Sequence, residues 1–323
     1  MTHYLPPKKE HWTGRATPEE MGDQYWYQAI QLVDLNKHQV PIIKPTGQDL
    51  ALLGYACDEG VRRNLGRIGA KNAPKSIRER LAKLSYHHST KRITDFGDVI
   101  CNDAELETCG VELSGLVSSL ISNNVFPILL GGGHDIAYAH FNGIWEAVKN
   151  TEKSKIGIIN FDAHFDLRPV ESEATSGTPF YQILTEHSDQ QVDYFAIGIQ
   201  QASNNKQLFE IAKNKNVSYL LSDECVDGNL KSIEEKLATF IERNDWLYLT
   251  IDMDGFSSAY APGVSAPSPM GFHPFFLLRI LRWLFNSQKV ISCDIAELNP
   301  SLDIDNATSN LAARIVDFIV SVK

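Results

Sequence analysis

The sequence predicts an α/β fold built on a parallel sheet. From residue 51 onward, strand-like apolar runs alternate with amphipathic helical segments, which is the pattern of βαβ units. Three apolar, β-branched runs at 125–130, 156–161 and 247–251 indicate buried strands, and each run is followed closely by Asp or His. Parallel strands end at one edge of a sheet, where open α/β proteins bind ligands. The same three runs therefore predict both the fold and the place of a site.

The remaining elements follow from hydrophobic periodicity. Further strands are predicted at 52–57, 94–100, 194–198 and 217–221, and helices at 74–84, 103–122, 136–149, 229–243, 275–285 and 304–322. Residues 1–45 are polar and aromatic, and we predict that they form an N-terminal arm packed on the domain. No linker-like or repetitive stretch interrupts the rest of the sequence. Residues 46–323 are therefore predicted to form a single domain.

Composition excludes several classes of function. The 323-residue chain is 43% hydrophobic and 22% charged, which is ordinary for a soluble globular protein. A net charge of −10 argues against a nucleic-acid partner, because phosphate backbones require a basic face. No apolar stretch is long enough to span a membrane. Five scattered cysteines without a C-x-x-C pair favour a reduced, cytoplasmic setting.

The residues that follow the three strands are typical metal ligands. The candidates are His134, then Asp162, His164 and Asp166, then Asp252 and Asp254. Four carboxylates and two imidazoles without a thiolate form a hard, oxygen-rich set, which suits Mn²⁺ better than structural zinc. Six ligands exceed what one catalytic ion takes, whereas two ions about 3.5–4 Å apart use them all. On an extended segment, alternate side chains such as Asp162, His164 and Asp166 point the same way.

The glycines at 131–133 precede His134 directly. They do not form a phosphate loop, because neither Gly-Lys-Ser/Thr nor G-x-G-x-x-G is present. A steric role is the better interpretation: glycine allows the backbone to turn sharply and to place His134 beside the metals.

These motifs resemble the three signatures of the arginase (ureohydrolase) family, in family order. The segments at 261–263 and 297–300 agree as well, and the resemblance covers roughly residues 50 to 320. It implies a three-layer α/β/α fold with a mostly parallel sheet of about eight strands and two Mn²⁺ ions per chain. It also implies hydrolysis of a carbon–nitrogen bond in a small-molecule guanidine or amidine. One ion would be held by His134, Asp162, Asp166 and Asp252, and the other by Asp162, His164, Asp252 and Asp254. Asp162 and Asp252 would bridge the ions, and a homo-oligomer is left open.

Two departures from the family pattern bear on the substrate. Arginases and agmatinases carry a histidine near a Ser-Gly pair after the second motif, and Phe180 occupies that place here. Ser257 stands where most relatives carry a third aspartate in the last motif, a residue that is not counted as a metal ligand. The metal site is thus retained, whereas guanidine hydrolysis in the arginase manner is placed in doubt.

The segments at 60–70, 162–168 and 176–180 resemble the branch of the family that cleaves N-formimidoyl-L-glutamate to L-glutamate and formamide. That substrate is an amidine with two carboxylates, and arginine pairs with carboxylate in a planar, bidentate manner. We predict that Arg168 binds a substrate carboxylate and that Thr178 and Phe180 contribute to the substrate site. For Arg62, Arg63 and Arg67, a substrate role and a structural role are equally open.

The expected mechanism is attack by a metal-bridging hydroxide on the formimidoyl carbon. By resemblance, Asp166 would accept a hydrogen bond from the nucleophile, and Glu297 would pair with the amidinium N–H groups. The proton donor to the leaving amine stays open between Asp166 and a metal-bound group. Two alternatives are another ureohydrolase activity, such as agmatinase or guanidinobutyrase, and a catalytically idle metal-binding protein.

Overall fold

A ten-stranded sheet runs through the part of the chain that the computed structural model describes, residues 2–40, 48–102, 104–187 and 190–323. The strands are β1 (Tyr4–Leu5), β2 (Gln31–Leu32), β3 (Asp49–Ala56), β4 (Arg92–Ile100), β5 (Phe126–Leu130), β6 (Ile156–Phe161), β7 (Val192–Ile199), β8 (Ser218–Leu221), β9 (Trp246–Asp252) and β10 (Val290–Ala296). Their order is β1-β4-β3-β5-β10-β9-β6-β7-β8, and β2 pairs with β4. Strands β3 to β10 are mutually parallel, and β1 alone of the described strands pairs antiparallel. The prediction of a mostly parallel sheet of about eight strands is confirmed for this central part, and two short edge strands extend it.

Helices cover both faces of the sheet. They are α1 (Trp26–Ala29), α2 (Glu59–Arg63), α3 (Ala73–Leu81), α4 (Leu106–Ser122), α5 (Ile136–Val148), α6 (Pro179–Glu186), α7 (Lys206–Asn214), α8 (Leu230–Glu242), α9 (Pro274–Asn286) and α10 (Ala307–Val322). Buried side chains of α3, α8, α9 and α10 form the core on one face, and those of α4, α5, α6 and α7 form the core on the other. Both faces of the central strands are buried, as parallel sheets require. The three-layer α/β/α architecture is confirmed.

Most predicted elements are found with shifted ends. Strands β1, β2 and β10 and helices α1, α2, α6 and α7 were not predicted. β6 matches its prediction at both ends, whereas β10 was not predicted, because Ser292 and Asp294 interrupt its apolar run. The helix predicted from 304 begins instead at Ala307. The Asp303 carboxylate accepts hydrogen bonds from the backbone amides of Thr308 and Ser309, and so caps that helix. The helix predicted from 103 is described from Leu106 onward, and residue 103 lies outside the described residues.

Described residues of the N-terminal segment pack on the sheet and its helices. Trp12 donates a 2.8 Å hydrogen bond to Asp95 Oδ2 on β4, and Trp26 donates one of the same length to Asp317 Oδ1 on α10. Residues 41–47, which include the predicted boundary between arm and domain, lie outside the described residues. The division at 45/46 therefore stays a prediction. Among the described helices, none has the combination of length and apolar character that crossing a bilayer requires.

Candidate metal centre

The candidate site lies at one edge of the sheet, at the ends of four neighbouring strands. β5, β10, β9 and β6 lie side by side and run parallel, so their carboxyl ends meet. His134 follows β5, Glu297 follows β10, Asp252 ends β9 and Asp162 follows β6. Residues separated by as many as 163 positions in the sequence are thereby brought into contact. This is the strand edge at which the sequence predicted a site.

The first set of ligand atoms surrounds the imidazole of His134. Its Nδ1 lies 3.1 Å from Asp162 Oδ2, 2.9 Å from Asp166 Oδ2 and 3.0 Å from Asp252 Oδ2. Although these contacts are close, Nδ1 makes no hydrogen bond of acceptable geometry to any residue that the structure describes. Four electron-pair donors therefore converge on one point, as they do around a cation.

The second set lies directly beside the first. His164 Nδ1 is 3.5 Å from Asp162 Oδ1 and 3.2 Å from Asp254 Oδ2. Asp162 thus presents one carboxylate oxygen to each set. Asp252 joins only the first set in this structure, and its Oδ1 accepts a 2.7 Å hydrogen bond from the backbone amide of Asp254. Bridging of two ions by Asp252 therefore stays a prediction.

The donor set fits two divalent cations. Four aspartates and two neutral imidazoles carry four negative charges, and the carboxylates are largely buried. Burial and the negative charges of Asp254 and Asp162 raise the pKa of Asp252 well above its usual range. Burial is also the main cause that raises the pKa of Asp254 to about 6. Two dications would cancel this repulsion, since buried charges persist only when they are paired or coordinate a metal.

The glycine run before His134 has a steric role: it permits a close backbone approach, although none of its three glycines has a positive φ. Backbone amides in this loop donate to neighbouring strands, from Gly131 to Ile295 O at 2.7 Å and from Gly133 to Cys57 O at 3.0 Å. A Cβ atom on Gly132 would overlap the carbonyl oxygen of Cys57. The loop can therefore approach strand β3 this closely only with glycine at position 132.

Two acidic side chains at the site are held by strained backbone. Asp166 has φ 48° and Glu297 has φ 64°, a left-handed conformation that non-glycine residues rarely adopt. Glu297 Oε1 accepts a 2.8 Å hydrogen bond from the backbone amide of His134. Burial and the negative charge of Asp254 raise the pKa of Glu297 to about 8. Such strain concentrates at functional sites, where it fixes a side chain that the chemistry requires.

A cavity of about 250 Å³ opens over the ligands. Its floor carries His164, Asp166, Asp252, Asp254 and Glu297, and the other polar residues that line it are Asn64, Arg168, Ser176, Ser203, Asn204 and Ser265. Among the described residues that line the cavity, Arg168 is the only lysine or arginine. Its Nη1 donates a 2.9 Å hydrogen bond to Asn64 Oδ1. The cavity therefore has an acidic floor and one cation on its wall.

Comparison with known proteins agrees with this geometry. The family model described as the arginase family matches residues 48–321. A formimidoylglutamase from Geobacillus kaustophilus (strain HTA426) is 42% identical over 313 residues, which cover 96% of this chain and 94% of that protein. The chain belongs to the arginase family.

Solved structures with lower sequence identity support the fold. The crystal structure of formimidoylglutamase from Bacillus subtilis has a TM-score of 0.82 at 24% identity, with 95% of this chain and 94% of that chain covered. Trypanosoma cruzi formiminoglutamase, solved with Mn²⁺, has a TM-score of 0.74 at 23% identity, with 86% and 94% covered. The resemblance to the arginase family that the sequence motifs indicated is confirmed.

Three arginines that the family motif at 60–70 contains serve structural contacts in this structure. Arg62 and Arg63 both pair with Glu59, and Arg63 Nη1 also donates to the carbonyl of Ala174 at 3.2 Å. Arg67 donates to the carbonyls of Val264 and Ser265. None of the three lines the cavity. The structural alternative is therefore favoured over a substrate role for each of them.

Two predicted substrate residues lie behind the cavity wall. Thr178 is 2% exposed, and its hydroxyl donates to Thr175 O at 3.0 Å, so it shapes the loop rather than facing the cavity. Phe180 is fully buried, stacks on Tyr194 with ring centroids 4.4 Å apart, and packs edge-on against His134. The predicted direct contact of Thr178 and Phe180 with substrate is thus not reproduced, because both side chains are buried at the start of α6. Ser176 of the same segment lines the cavity instead.

Sequence patterns did not identify most of the polar wall. Asn64, Ser203, Asn204 and Ser265 belong to loops that follow different strands, and no local spacing links them. A signal was present only for Asn64, which lies within the segment at 60–70 that resembles one branch of the family. The metal ligands were accessible to sequence analysis because five of the six occur in two short motifs.

Proposed function

We propose that this chain hydrolyses N-formimidoyl-L-glutamate to L-glutamate and formamide at a pair of Mn²⁺ ions. Water adds to the formimidoyl carbon, the bond from that carbon to the glutamate nitrogen breaks, and a proton moves to the leaving nitrogen. Relatives that carry the name formimidoylglutamase match 96% of this chain at 41–42% identity, and they support the assignment.

The observation that carries the proposal is the division of charge within the cavity. Carboxylates of Asp252, Asp254 and Glu297 lie on the floor, and Arg168 stands on the wall with amide and hydroxyl groups around it. N-formimidoyl-L-glutamate has a matching division, with an amidine at one end and two carboxylates at the other. The substrate would therefore enter with its amidine toward the floor and a carboxylate toward Arg168.

The two sets of ligand atoms would hold the ions. His134, Asp162, Asp166 and Asp252 form one set, and Asp162, His164 and Asp254 form the other, which Asp252 Oδ2 would complete. When bound, such ions supply a water of lowered pKa and polarise the bond under attack. Manganese is favoured because the donors are hard oxygens and imidazoles, and because Trypanosoma cruzi formiminoglutamase was solved with Mn²⁺.

Asp166 and Glu297 have separate tasks in the proposed reaction. The carboxylate of Glu297 would accept hydrogen bonds from the amidinium N–H groups and favour the tetrahedral intermediate by its charge. Its position is fixed through the backbone amide of His134. Asp166 would accept the proton of the attacking water and pass it to the leaving nitrogen, since its carboxylate borders both the ligand set and the cavity.

Guanidine substrates with a cationic tail fit this cavity less well. Agmatine would bring a second positive charge toward Arg168, which is repulsive. Phe180 supplies no exchangeable proton at the place where arginases and agmatinases have a histidine. Both features favour the amidine with a dicarboxylate tail over agmatine.

A substrate panel tests the proposal directly. Purified, Mn²⁺-loaded protein would be assayed with N-formimidoyl-L-glutamate, arginine, agmatine and guanidinobutyrate, and glutamate, formamide and urea would be quantified. We expect glutamate and formamide in equal amounts from the first compound and little urea from the others. Efficient urea release from agmatine, with no glutamate from N-formimidoyl-L-glutamate, would refute the substrate assignment.

A further inference from the structure

We propose that Asp294 is a positioning residue that acts on the metal ligand His134 through the hydroxyl of Thr250. The inference rests on the dinuclear centre of the proposed function and adds residues outside the ligand set. His134 Nε2 lies 2.9 Å from Thr250 Oγ1, and Thr250 Oγ1 lies 2.6 Å from Asp294 Oδ1. Thr250 and Asp294 are fully buried, and His134 is 1% exposed.

The direction of each hydrogen bond follows from the donors that are available. A carboxylate only accepts, so the single hydroxyl proton of Thr250 goes to Asp294. Thr250 Oγ1 then accepts the N–H of His134 Nε2. The opposite ring nitrogen, Nδ1, keeps its lone pair toward Asp162, Asp166 and Asp252, which is the tautomer that binds a metal.

Asp294 is itself held by two further donors. The Tyr248 hydroxyl donates to Asp294 Oδ2 at 2.5 Å, and His140 Nδ1 lies 2.6 Å from the same oxygen. All three side chains are fully buried. A buried carboxylate requires several hydrogen-bond partners, and Asp294 has Thr250, Tyr248 and His140.

His140 is held on both sides of its ring. Its Nε2 lies 2.6 Å from Ser292 Oγ, and the Ser292 hydroxyl donates to the carbonyl of Pro127 at 3.0 Å. The ring of His140 therefore links Asp294 to Ser292, and this link holds the Asp294 carboxylate in the place where it accepts from Thr250.

This arrangement acts on one ligand set only. His134 belongs to the set with Asp166 and Asp252, whereas the imidazole of the other set, His164, stands outside this chain of hydrogen bonds. Outer partners of a metal-bound imidazole fix its orientation and raise its basicity. Loss of the Thr250 hydroxyl should therefore weaken binding of the ion in the His134 set and leave binding of the ion in the His164 set unchanged.

The test compares metal binding in threonine variants. Thr250→Val removes the hydroxyl at nearly constant shape, Thr250→Ser retains the hydroxyl, and Thr94→Val makes the same change on strand β4, away from the site. Metal-free proteins would be titrated with Mn²⁺ by calorimetry, with circular dichroism to verify the fold. Thr250→Val should weaken one of two binding steps by about 10- to 100-fold. Thr250→Ser and Thr94→Val should bind as the wild type does.

Asp294→Asn gives a second measurement of the same effect. It removes the carboxylate charge at constant size, and the Mn²⁺-binding step that is weaker in Thr250→Val should weaken here too. Wild-type affinity at both steps in Thr250→Val would overturn the inference, and so would a Thr250→Ser variant that binds as weakly as Thr250→Val. Failure of the wild type to bind a pair of Mn²⁺ ions would instead refute the dinuclear centre of the proposed function.

Discussion

The backbone amide of His134 donates a 2.8 Å hydrogen bond to Glu297 Oε1, which links a candidate metal ligand to the acid proposed to bind the amidine. The two residues follow adjacent strands, β5 and β10, and the bond holds the Glu297 side chain over the ligand set. The left-handed φ of Glu297 aims this side chain, and the hydrogen bond fixes it. Metal binding and substrate binding therefore share one rigid edge of the sheet.

Glu297→Gln should separate these two functions. The amide is almost isosteric and can still accept from the amide of His134, but it lacks the charge that matches an amidinium. We expect two Mn²⁺ ions per chain and a drop in kcat/KM of about 10- to 100-fold, because a hydrogen bond to a charged group contributes roughly 1.5–3 kcal/mol. Steady-state kinetics and metal analysis measure both quantities.

Glu235→Gln on the exposed side of α8 is the matched control and should leave both quantities unchanged. Wild-type kcat/KM in Glu297→Gln would make Glu297 a purely structural residue.

Asp162→Asn should remove more metal than a change of either imidazole. Asp162 presents an oxygen to each set of ligand atoms, at 3.1 Å from His134 Nδ1 and 3.5 Å from His164 Nδ1. We expect it to lose at least one ion and most activity, whereas His164→Ala should lose mainly the ion of its own set. Metal content after dialysis, measured by mass spectrometry, gives the comparison. Two ions per chain and full turnover in Asp162→Asn would refute the ligand assignment.

Gly132→Ala should destabilise the protein by crowding. The added Cβ would overlap the carbonyl oxygen of Cys57, and inserting a methyl group into a packed place costs about 1–3 kcal/mol. Gly115→Ala is the control, because nothing lies within 4 Å of a Cβ at that exposed position on α4. It should stabilise the helix by about 0.5–1 kcal/mol. Urea denaturation of metal-free protein distinguishes the two, and equal stability of both variants would contradict the steric account.

Removal of metal should lower the melting temperature. Buried carboxylates at the site repel one another, and burial together with this repulsion raises the pKa of Asp252. Mn²⁺ that binds only the folded state stabilises it by about 2.7 kcal/mol at a concentration of 100 Kd. Differential scanning calorimetry should show a melting temperature that falls with chelator and rises with added Mn²⁺. A melting temperature independent of Mn²⁺ would contradict a metal site in the folded protein.

The sequence predicted those elements whose hydrophobic pattern is simple. β6 is apolar at every position except Asn160, and its bounds are those predicted. β10 was missed because it carries Asp294 and Ser292 in the middle of a buried strand. That strand tolerates an acid only because His140 and Tyr248 lie opposite it, on elements distant in the sequence. Tertiary partners of this kind leave no local periodicity.

The same distinction applies to the site. Asp162, His164 and Asp166 were accessible because neighbours along an extended segment share a face. The residues of the cavity wall could not be predicted, because they belong to loops that only the fold brings together. The loop that carries Ser265 is an example: its Ser265 carbonyl accepts a hydrogen bond from Arg67, 198 positions away in the sequence. Phe180 was predicted beside the substrate from its place in a motif, yet α6 turns it into the core.

Arg168→Ala tests the proposed recognition of a substrate carboxylate. Arg168 is the only lysine or arginine among the described residues that line the cavity, and Asn64 Oδ1 orients its guanidinium at 2.9 Å. Loss of a charge-assisted pair worth roughly 1.5–3 kcal/mol should lower kcat/KM for N-formimidoyl-L-glutamate about 10- to 100-fold, with metal content unchanged. Arg62→Ala is the control, since Arg62 is exposed and pairs with Glu59, and exposed ion pairs contribute only about 0–1 kcal/mol. An Arg168→Ala variant as active as Arg62→Ala would show that another group binds the carboxylates, and the dinuclear site would stand without this part of the substrate assignment.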